Sequence, residues 1–253
     1  MIEPRPLAEE RIARSSVSGW DSWEGQEYSP AKLGLGLDQE YRGGYRASAG
    51  QVFIGYGLAD WCALEVEAAF ISAQLERSPG DTSPIPARIK RKGLTDVAGQ
   101  LRVRVMQESA HRPEIFAYAE ITVPSQKEER LIGDRDWDLQ PGVGIVRGYS
   151  WGTLTLRSTV EYTREDAGLN IGETAVEYLK RLSPASRLHL ALEGGEGGAP
   201  DEWDLVPGLQ WRMTDAIFLK FDIALGLSSK ATDWAPAMGV LFSFPQSGDH
   251  RQP

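Results

Sequence analysis

The stretch Ile217–Leu227, IFLKFDIALGL, alternates with a period of two along its whole length. Every odd-numbered position holds a large apolar residue, while the even-numbered ones include Lys220, Asp222, an alanine and a glycine. Successive side chains of a β-strand point to opposite faces of a sheet. The stretch therefore predicts a strand with one apolar face and one polar or small face.

The same alternation recurs from residue 31 onward, in segments that are each as long as one strand. It predicts about twelve strands and no helix of any length in this region. Before residue 31, one short helix is expected over Leu7 to Ala13. The predicted strands lie near 31–41, 47–57, 62–75, 93–107, 114–124, 137–148, 153–163, 170–182, 187–194, 203–212, 216–227 and 235–244.

The connections between these segments alternate between short turns and longer polar loops. An antiparallel meander with short turns at one end and long loops at the other is typical of outer-membrane barrels. We therefore predict an all-β fold, a transmembrane antiparallel up-and-down β-barrel of about twelve strands. An even number of strands places both termini at the short-turn, periplasmic end. The longer loops cover 78–92, 125–136, 164–169, 194–202 and 228–234.

Three parts of the chain are distinguished by this pattern. Residues 1–30 are predicted to be an N-terminal periplasmic segment, 31–244 the barrel and 245–253 a C-terminal tail. The first ten residues contain no apolar run, so either the protein is cytosolic or a signal peptide has been removed. The barrel pattern of the rest of the chain favours removal of a signal peptide. The predicted location is the bacterial outer membrane.

The composition decides which face of the strands is outside. The polar face mixes charges of both signs with many glycines and alanines, which suits a narrow lumen better than a solvated exterior. The apolar face carries Leu, Val, Ile and Phe, with Trp or Tyr near the strand ends, as in the aromatic girdles of membrane barrels. A soluble sandwich or lipocalin-like barrel would require the opposite orientation.

Several functions are disfavoured by composition. The net charge of −9 argues against binding to nucleic acid, which depends on cationic contacts with phosphates. A lone Cys62 excludes an internal disulfide framework and a Cys-rich zinc site. His111, His189 and His250 show neither metal-ligand spacing nor a serine motif, so we predict no enzyme, no metal site and no cofactor.

Two motifs add detail. Trp137-Asp-Leu-Gln-Pro-Gly142 recurs 66 residues later as Trp203-Asp-Leu-Val-Pro-Gly208. We interpret it as the same structural element used in two hairpins, with Trp at the rim and Pro and Gly where the strand bends. The alternative is that the motif binds a ligand. Residues 238–244 alternate and end on Phe244, like the closing strand that the barrel-assembly machinery reads, so that machinery is an expected partner.

The chain resembles the family of outer-membrane barrels associated with the meta-cleavage pathway of phenol degradation. The resemblance lies in Ile121-Thr-Val-Pro124, in the first Trp-Asp-Leu motif and in Gly57-Leu-Ala-Asp-Trp61, and it extends over most of residues 31–244. It implies a transporter-like outer-membrane protein, without implying a particular substrate.

Two functions therefore stay open. The barrel is either a passive channel or transporter for small solutes, hydrophobic ones among them, or a structural or interaction barrel whose lumen is plugged by salt bridges. The charged residues predicted to face inward are ten acids, among them Asp138, Glu193 and Asp204, and five bases. This excess favours a water-containing, weakly cation-selective or neutral path, with Arg102, Arg104, Arg157 and Glu161 near its constriction. The predicted lumen-lining residues are Glu65, Glu67, Asp96, Arg102, Arg104, Glu120, Arg157, Glu161, Glu177, His189, Arg212, Lys220 and Asp222.

The expected partners are small solutes, outer-membrane lipid and lipopolysaccharide. The basic stretch Arg88-Ile-Lys-Arg-Lys92 would lie at the outer rim, where it is either a solvated loop end or a contact to lipopolysaccharide phosphates.

Overall fold

Within the residues that the computed structural model describes, the chain forms β-strands and no helix. No helix in the described ranges is long and apolar enough to cross a membrane. The described residues are 31–77, 86–125, 132, 137–163, 168–194, 202–229 and 231–244. The strands are β1 (Ala31–Arg42), β2 (Tyr45–Ala59), β3 (Cys62–Glu76), β4 (Arg88–Leu94), β5 (Val97–Met106), β6 (Glu114–Val123), β7 (Asp138–Tyr149), β8 (Gly152–Thr163), β9 (Gly168–Arg181), β10 (Ser186–Gly194), β11 (Trp203–Arg212), β12 (Ile217–Gly226) and β13 (Trp234–Phe244).

All pairings between these strands are antiparallel, and the sheet closes because β1 pairs with both β2 and β13. The segments β4 and β5 lie end to end along one edge of β3, where β4 pairs with 70–76 and β5 with 62–67. They therefore occupy one position in the wall, interrupted at Thr95 and Asp96. The result is a closed barrel of twelve strands, which confirms the predicted fold class.

The order of turns also agrees with the sequence. Ala31 pairs with Phe244, so the first and last strands begin and end at the same rim. That rim carries the short connections, for example Tyr149 to Gly152 between β7 and β8. We refer to it below as the short-turn end, and to the opposite rim as the long-loop end.

One predicted loop at the long-loop end is wrong in part. Residues 88–92 are predicted to lie in a loop but belong to β4, because a strand that extends past the apolar band carries no apolar alternation to reveal it. The first hairpin also lies at this end, yet it turns on Gly43 and Gly44 alone. Gly43 has φ +52°, the left-handed conformation that glycine adopts at little cost. The predicted helix over 7–13, the N-terminal segment and the C-terminal tail lie outside the described residues.

The exterior of the barrel is apolar and the interior is polar. In β12, the Phe221 side chain is 42% exposed on the outer surface, whereas Lys220 is only 5% exposed inside. The same parity holds in β1, where Leu35 and Leu37 are exposed and Asp38 is buried. This orientation is the one predicted from the residue types on the two faces, and it is opposite to that of a soluble barrel.

Aromatic side chains mark both rims. At the long-loop end the rings of Tyr41 and Trp234 stack with their centroids 4.4 Å apart. At the short-turn end Trp151 stacks on Tyr149 at 4.7 Å and packs obliquely against Tyr178 at 5.4 Å. Rings with a polar edge are favoured at the two membrane interfaces, so these clusters delimit the apolar band between them.

Replacing Phe221 by arginine should reduce the free energy of unfolding by about 2–4 kcal/mol, because Phe221 lies halfway along a lipid-facing strand. Met213→Arg is the matched control, since Met213 is an exposed apolar residue at the short-turn end, where the cost falls to about 0–1 kcal/mol. Urea unfolding in lipid vesicles measures both values. Equal costs at the two positions would contradict this placement of the apolar band.

Candidate functional site in the lumen

The interior of the barrel holds an excess of negative charge. Seven carboxylate side chains and four cationic ones are classed as buried among the described residues, an excess of three negative charges. All eleven lie on the lumenal face of their strands. The carboxylates are Asp38, Glu40, Glu65, Glu114, Asp138, Glu161 and Glu177, and the cations are Lys32, Arg102, Arg187 and Lys220.

A belt of alternating carboxylates and amides crosses five neighbouring strands. Glu65 lies opposite Gln100, which lies opposite Glu120, which lies opposite Gln140. The constant register between β7 and β8 then places Glu161 opposite Gln140. Gln100 Nε2 donates a hydrogen bond to Glu120 Oε2 over 3.2 Å. The amides hold the carboxylates two strands apart, about 10 Å, which limits their mutual repulsion while keeping all three in one band of the lumen.

Arg157 organises a second acidic group. Its guanidinium lies 2.5 Å from Glu173, 3.2 Å from Glu177 and 3.5 Å from Glu193. The Arg157 and Glu177 side chains are almost fully buried, whereas Glu173 is 34% exposed to the lumen. One cation facing three carboxylates leaves this group negative. The planar guanidinium suits it, because its several donors can serve more than one carboxylate at once.

His189 belongs to a third polar group, in which a glycine makes room for a neighbour. His189 of β10, Gly208 of β11 and Asp222 of β12 are successive partners in the sheet. A Cβ atom at Gly208 would collide with the Asp222 carboxylate, so glycine is needed for Asp222 to reach across β11. Asp222 Oδ1 lies 3.3 Å from His189 Nδ1, and its Oδ2 lies 2.9 Å from Lys220 Nζ.

Gly142 and Gly144 of β7 serve the same purpose on the opposite wall. A Cβ at Gly142 would meet the Tyr118 ring and one at Gly144 the Phe116 ring, so both rings lie flat against the wall. The Arg102 guanidinium lies 3.8 Å from the centre of the Phe116 ring, a cation–π contact. Aromatic side chains over strand glycines cover the exposed backbone.

Two apolar patches lie on either side of the polar groups. Along β2, the residue Gln51 donates a hydrogen bond to Asp38 over 3.4 Å. On the short-turn side of Gln51, Phe53 packs with Phe218 and Leu241. On its long-loop side, inward alanines and Ile71 form the second patch, which we call the mouth patch. It comprises Ala47, Ala49, Ile71 and Ala73, with Tyr45 and Ala69 against it.

Ile132 packs on the mouth patch. It belongs to the connection between β6 and β7, at the long-loop end, and its side chain is 1% exposed. An isoleucine from this connection can be buried in this way only by entering the lumen. The long-loop mouth is therefore narrowed by an apolar side chain seated on an apolar surface.

Ten of the thirteen predicted residues lie on the lumenal faces of their strands, and three lie at a rim or at a break in the wall. Arg104 and Arg212 lie toward the short-turn rim. Arg104 contacts Glu114 at 2.9 Å and donates a hydrogen bond to the Asp60 carbonyl over 2.8 Å, and the register places it three strands away from Arg157. Asp96 lies in the break between β4 and β5, where its carboxylate accepts a hydrogen bond from the backbone N–H of Ser125. The remaining predicted residues lie on lumenal faces: Glu65, Glu67, Arg102, Glu120, Arg157, Glu161, Glu177, His189, Lys220 and Asp222.

Sequence reasoning missed several lumenal charges. Asp38 and Glu40 alternate with Leu35 and Leu37, so the parity of β1 would have identified them. The contact of His189 with Asp222 could not be predicted from the sequence, because contact across Gly208 depends on the register of three strands. The other missed lumenal charges are Lys32, Glu114, Glu173 and Arg187. Among the described residues, no group of three or more His, Cys, Asp or Glu side chains is arranged to hold a metal ion.

A closed twelve-stranded barrel with an apolar exterior and a charged lumen defines the class of outer-membrane β-barrels. No family model matches the chain, and no curated protein sequence matches it.

Three solved structures share the fold. An outer-membrane channel from Pseudomonas putida F1 has a TM-score of 0.62 at 13% identity, covering 86% of this chain and 98% of that one. The KdgM porin gives 0.59 at 10% identity, covering 84% and 99%. The toluene transporter of Ralstonia pickettii gives 0.50 at 10% identity, covering 87% and 91%. By name they are an outer-membrane channel, a porin and a toluene transporter, and their similarity to this chain is one of fold.

Gly208→Ala should break the contact between Asp222 and His189, because the new methyl group occupies the position of the Asp222 carboxylate. We expect a loss of about 1–3 kcal/mol in the free energy of unfolding, as for other overpacked interiors. Gly50→Ala is the control, since its nearest new contact would be an ordinary 3.7 Å from Leu37. Urea unfolding and the imidazole NMR signals, which come from only three histidines, report the two effects. An unmoved His189 signal would contradict the proposed role of Gly208.

Proposed function

We propose that this protein is a passive outer-membrane channel for small neutral or positively charged solutes, including solutes with apolar surface. The observation that carries this proposal is the excess of buried carboxylates over buried cations in the lumen, together with the belt formed by Glu65, Glu120 and Glu161. Rings of Asp and Glu side chains favour cations in other channels. An unpaired charge in a dry interior is costly, so the excess also favours a water-containing lumen.

The apolar patches define the kind of solute further. A solute that enters at the long-loop end passes the mouth patch, then the acidic middle, then the cluster around Phe53. Rings lying flat on the wall at Phe116 and Tyr118 offer apolar contact beside the acids. A small molecule with an apolar body and a neutral or cationic polar group fits this sequence of surfaces.

The structural neighbours favour a channel over a purely structural barrel, because those with TM-scores of 0.50 and above are a channel, a porin and a transporter. The same proposal includes membership of the family associated with phenol degradation, a location in the outer membrane and insertion by the barrel-assembly machinery. Glu173 of the Arg157 group is 34% exposed, which supports a lumen that water can enter.

The belt can be tested by measuring ion selectivity. In planar bilayers under a potassium chloride gradient, the protein should show a reversal potential of the sign for cation preference. Replacing Glu65, Glu120 and Glu161 together by glutamine should abolish most of that preference, because three of the lumenal negative charges are removed while side-chain size is retained.

Glu76→Gln is the matched control, because Glu76 is an exposed acid on the outer surface at the long-loop rim and its loss should leave the reversal potential unchanged. A preference of the parent protein for anions would refute the proposed cation selectivity. A folded barrel that conducts no current would refute the channel and favour a structural barrel with a plugged lumen.

Ile132→Ala should raise the single-channel conductance and leave ion selectivity unchanged, because it removes an apolar side chain from the mouth and touches no charge. Ile121→Ala removes the same atoms from the outer surface of β6 and serves as the control. Planar-bilayer recordings of both variants give the comparison. An Ile132→Ala conductance equal to that of the parent would show that the mouth does not limit current.

A further inference from the structure

The outer surface of the barrel carries a compact group of cations at the long-loop end. Lys90 and Lys92 alternate with inward residues of β4 and project outward, where both are exposed. The register carries this group onto neighbouring strands, since Lys90 lies opposite Gln74 of β3, which lies opposite Arg46 of β2. Arg46 is also exposed. We call Arg46, Lys90 and Lys92 the outer basic patch.

The patch begins where the apolar band ends. Leu37, Gly50, Phe70 and Leu94 are successive partners on β1 to β4, and they form the last outward apolar row. Lys92 lies two residues before Leu94 in β4, and therefore about 7 Å closer to the long-loop rim. At that distance from the acyl chains, a cationic side chain reaches the polar headgroups of the adjacent leaflet.

The charge of this patch is not neutralised by the part of the protein that the structure describes. Arg88, the neighbouring cation, lies 3.8 Å from Glu76 and donates a hydrogen bond to Gln74 over 2.5 Å. Within the described ranges, no carboxylate lies within ion-pair distance of Arg46, Lys90 or Lys92. Three exposed cations on β2 and β4, the two strands that flank β3, therefore face the membrane surface, while the protein as a whole carries a net charge of −9.

We propose that the outer basic patch binds the phosphate groups of lipopolysaccharide in the leaflet at the long-loop end. The patch is cationic, lies directly above the acyl chains and faces outward rather than into the lumen, so its natural occupant is an anionic headgroup of the surrounding lipid. Lys90 and Arg46 are two strands apart, about 10 Å, and Lys90 and Lys92 are about 7 Å apart. Long side chains at this spacing converge on one phosphate or on two neighbouring ones.

This inference extends the proposed outer-membrane location but does not depend on conduction. It also gives β4 a function, because this strand carries two of the three cations past the apolar band. The alternating outward lysines of β4 account for the basic stretch of the sequence, while its inward members, such as Gly93 opposite Ile71, complete the wall of the lumen.

The test uses the folded full-length protein in zwitterionic detergent, with bisphosphorylated lipid A and dephosphorylated lipid A as probes and native mass spectrometry as the measurement. The protein should bind the phosphorylated form and not the dephosphorylated one. Replacing all three patch residues by glutamine should weaken binding by about 100-fold, since each cation beside an anionic lipid surface contributes about fivefold.

Lys180→Gln is the matched control, because Lys180 is an exposed cation at the short-turn end of β9. It should retain the affinity of the parent, as should Lys90→Arg combined with Lys92→Arg. The resistance of each variant to unfolding in sodium dodecyl sulfate shows that it is folded. Equal binding of the two lipid forms, or an equal loss of affinity in the Lys180 control, would overturn the proposal. A barrel that conducts no current in planar bilayers would refute the proposed channel but not the binding of lipopolysaccharide.

Discussion

A β-sheet in an apolar membrane must close on itself, because no water is present there to satisfy an open edge. Closure with twelve strands forces every second side chain into a narrow lumen, where charged groups of opposite walls approach each other. The interior of this barrel follows from that constraint. Carboxylates are separated by amides in the belt of Glu65, Glu120 and Glu161, and three acids share the single guanidinium of Arg157.

The repeated Trp-Asp-Leu motif illustrates how the wall adapts to this crowding. In both copies the proline interrupts the ladder to the following strand, at Pro141 between β7 and β8 and at Pro207 between β11 and β12. The glycine that follows each proline faces the lumen and lies under a side chain from a neighbouring strand, Tyr118 over Gly142 and Asp222 over Gly208. The glycine of the repeat thus leaves room for a side chain of a neighbouring strand to lie across the inner surface of the wall. This agrees with the interpretation of the repeat as a structural element of two hairpins.

The sequence predicts the fold well because alternation is local and is imposed by the contrast between lipid and lumen. Phe221 and Lys220 differ in chemistry as sharply as their two environments do. Where this contrast disappears, prediction fails: β4 extends beyond the lipid, so its charged residues resembled a loop. The contacts between side chains in the lumen were not predictable either. The contact of His189 with Asp222 depends on the register of neighbouring strands, and the packing of Ile132 with Ile71 depends on the path of a distant connection.

The pairing of Ala31 with Phe244 has a consequence for how the chain folds. All other neighbouring strands follow each other in sequence and can form one hairpin at a time, whereas this pair joins residues 213 positions apart. Bringing together the ends of so long a chain costs on the order of 5 kcal/mol of conformational entropy if the intervening residues are unstructured. Sequential hairpin formation removes most of that cost, because the curved sheet itself brings the two edges together. The seam between β1 and β13 is then the last to form, and the ends of the barrel are close enough for a circular permutation to preserve every pairing.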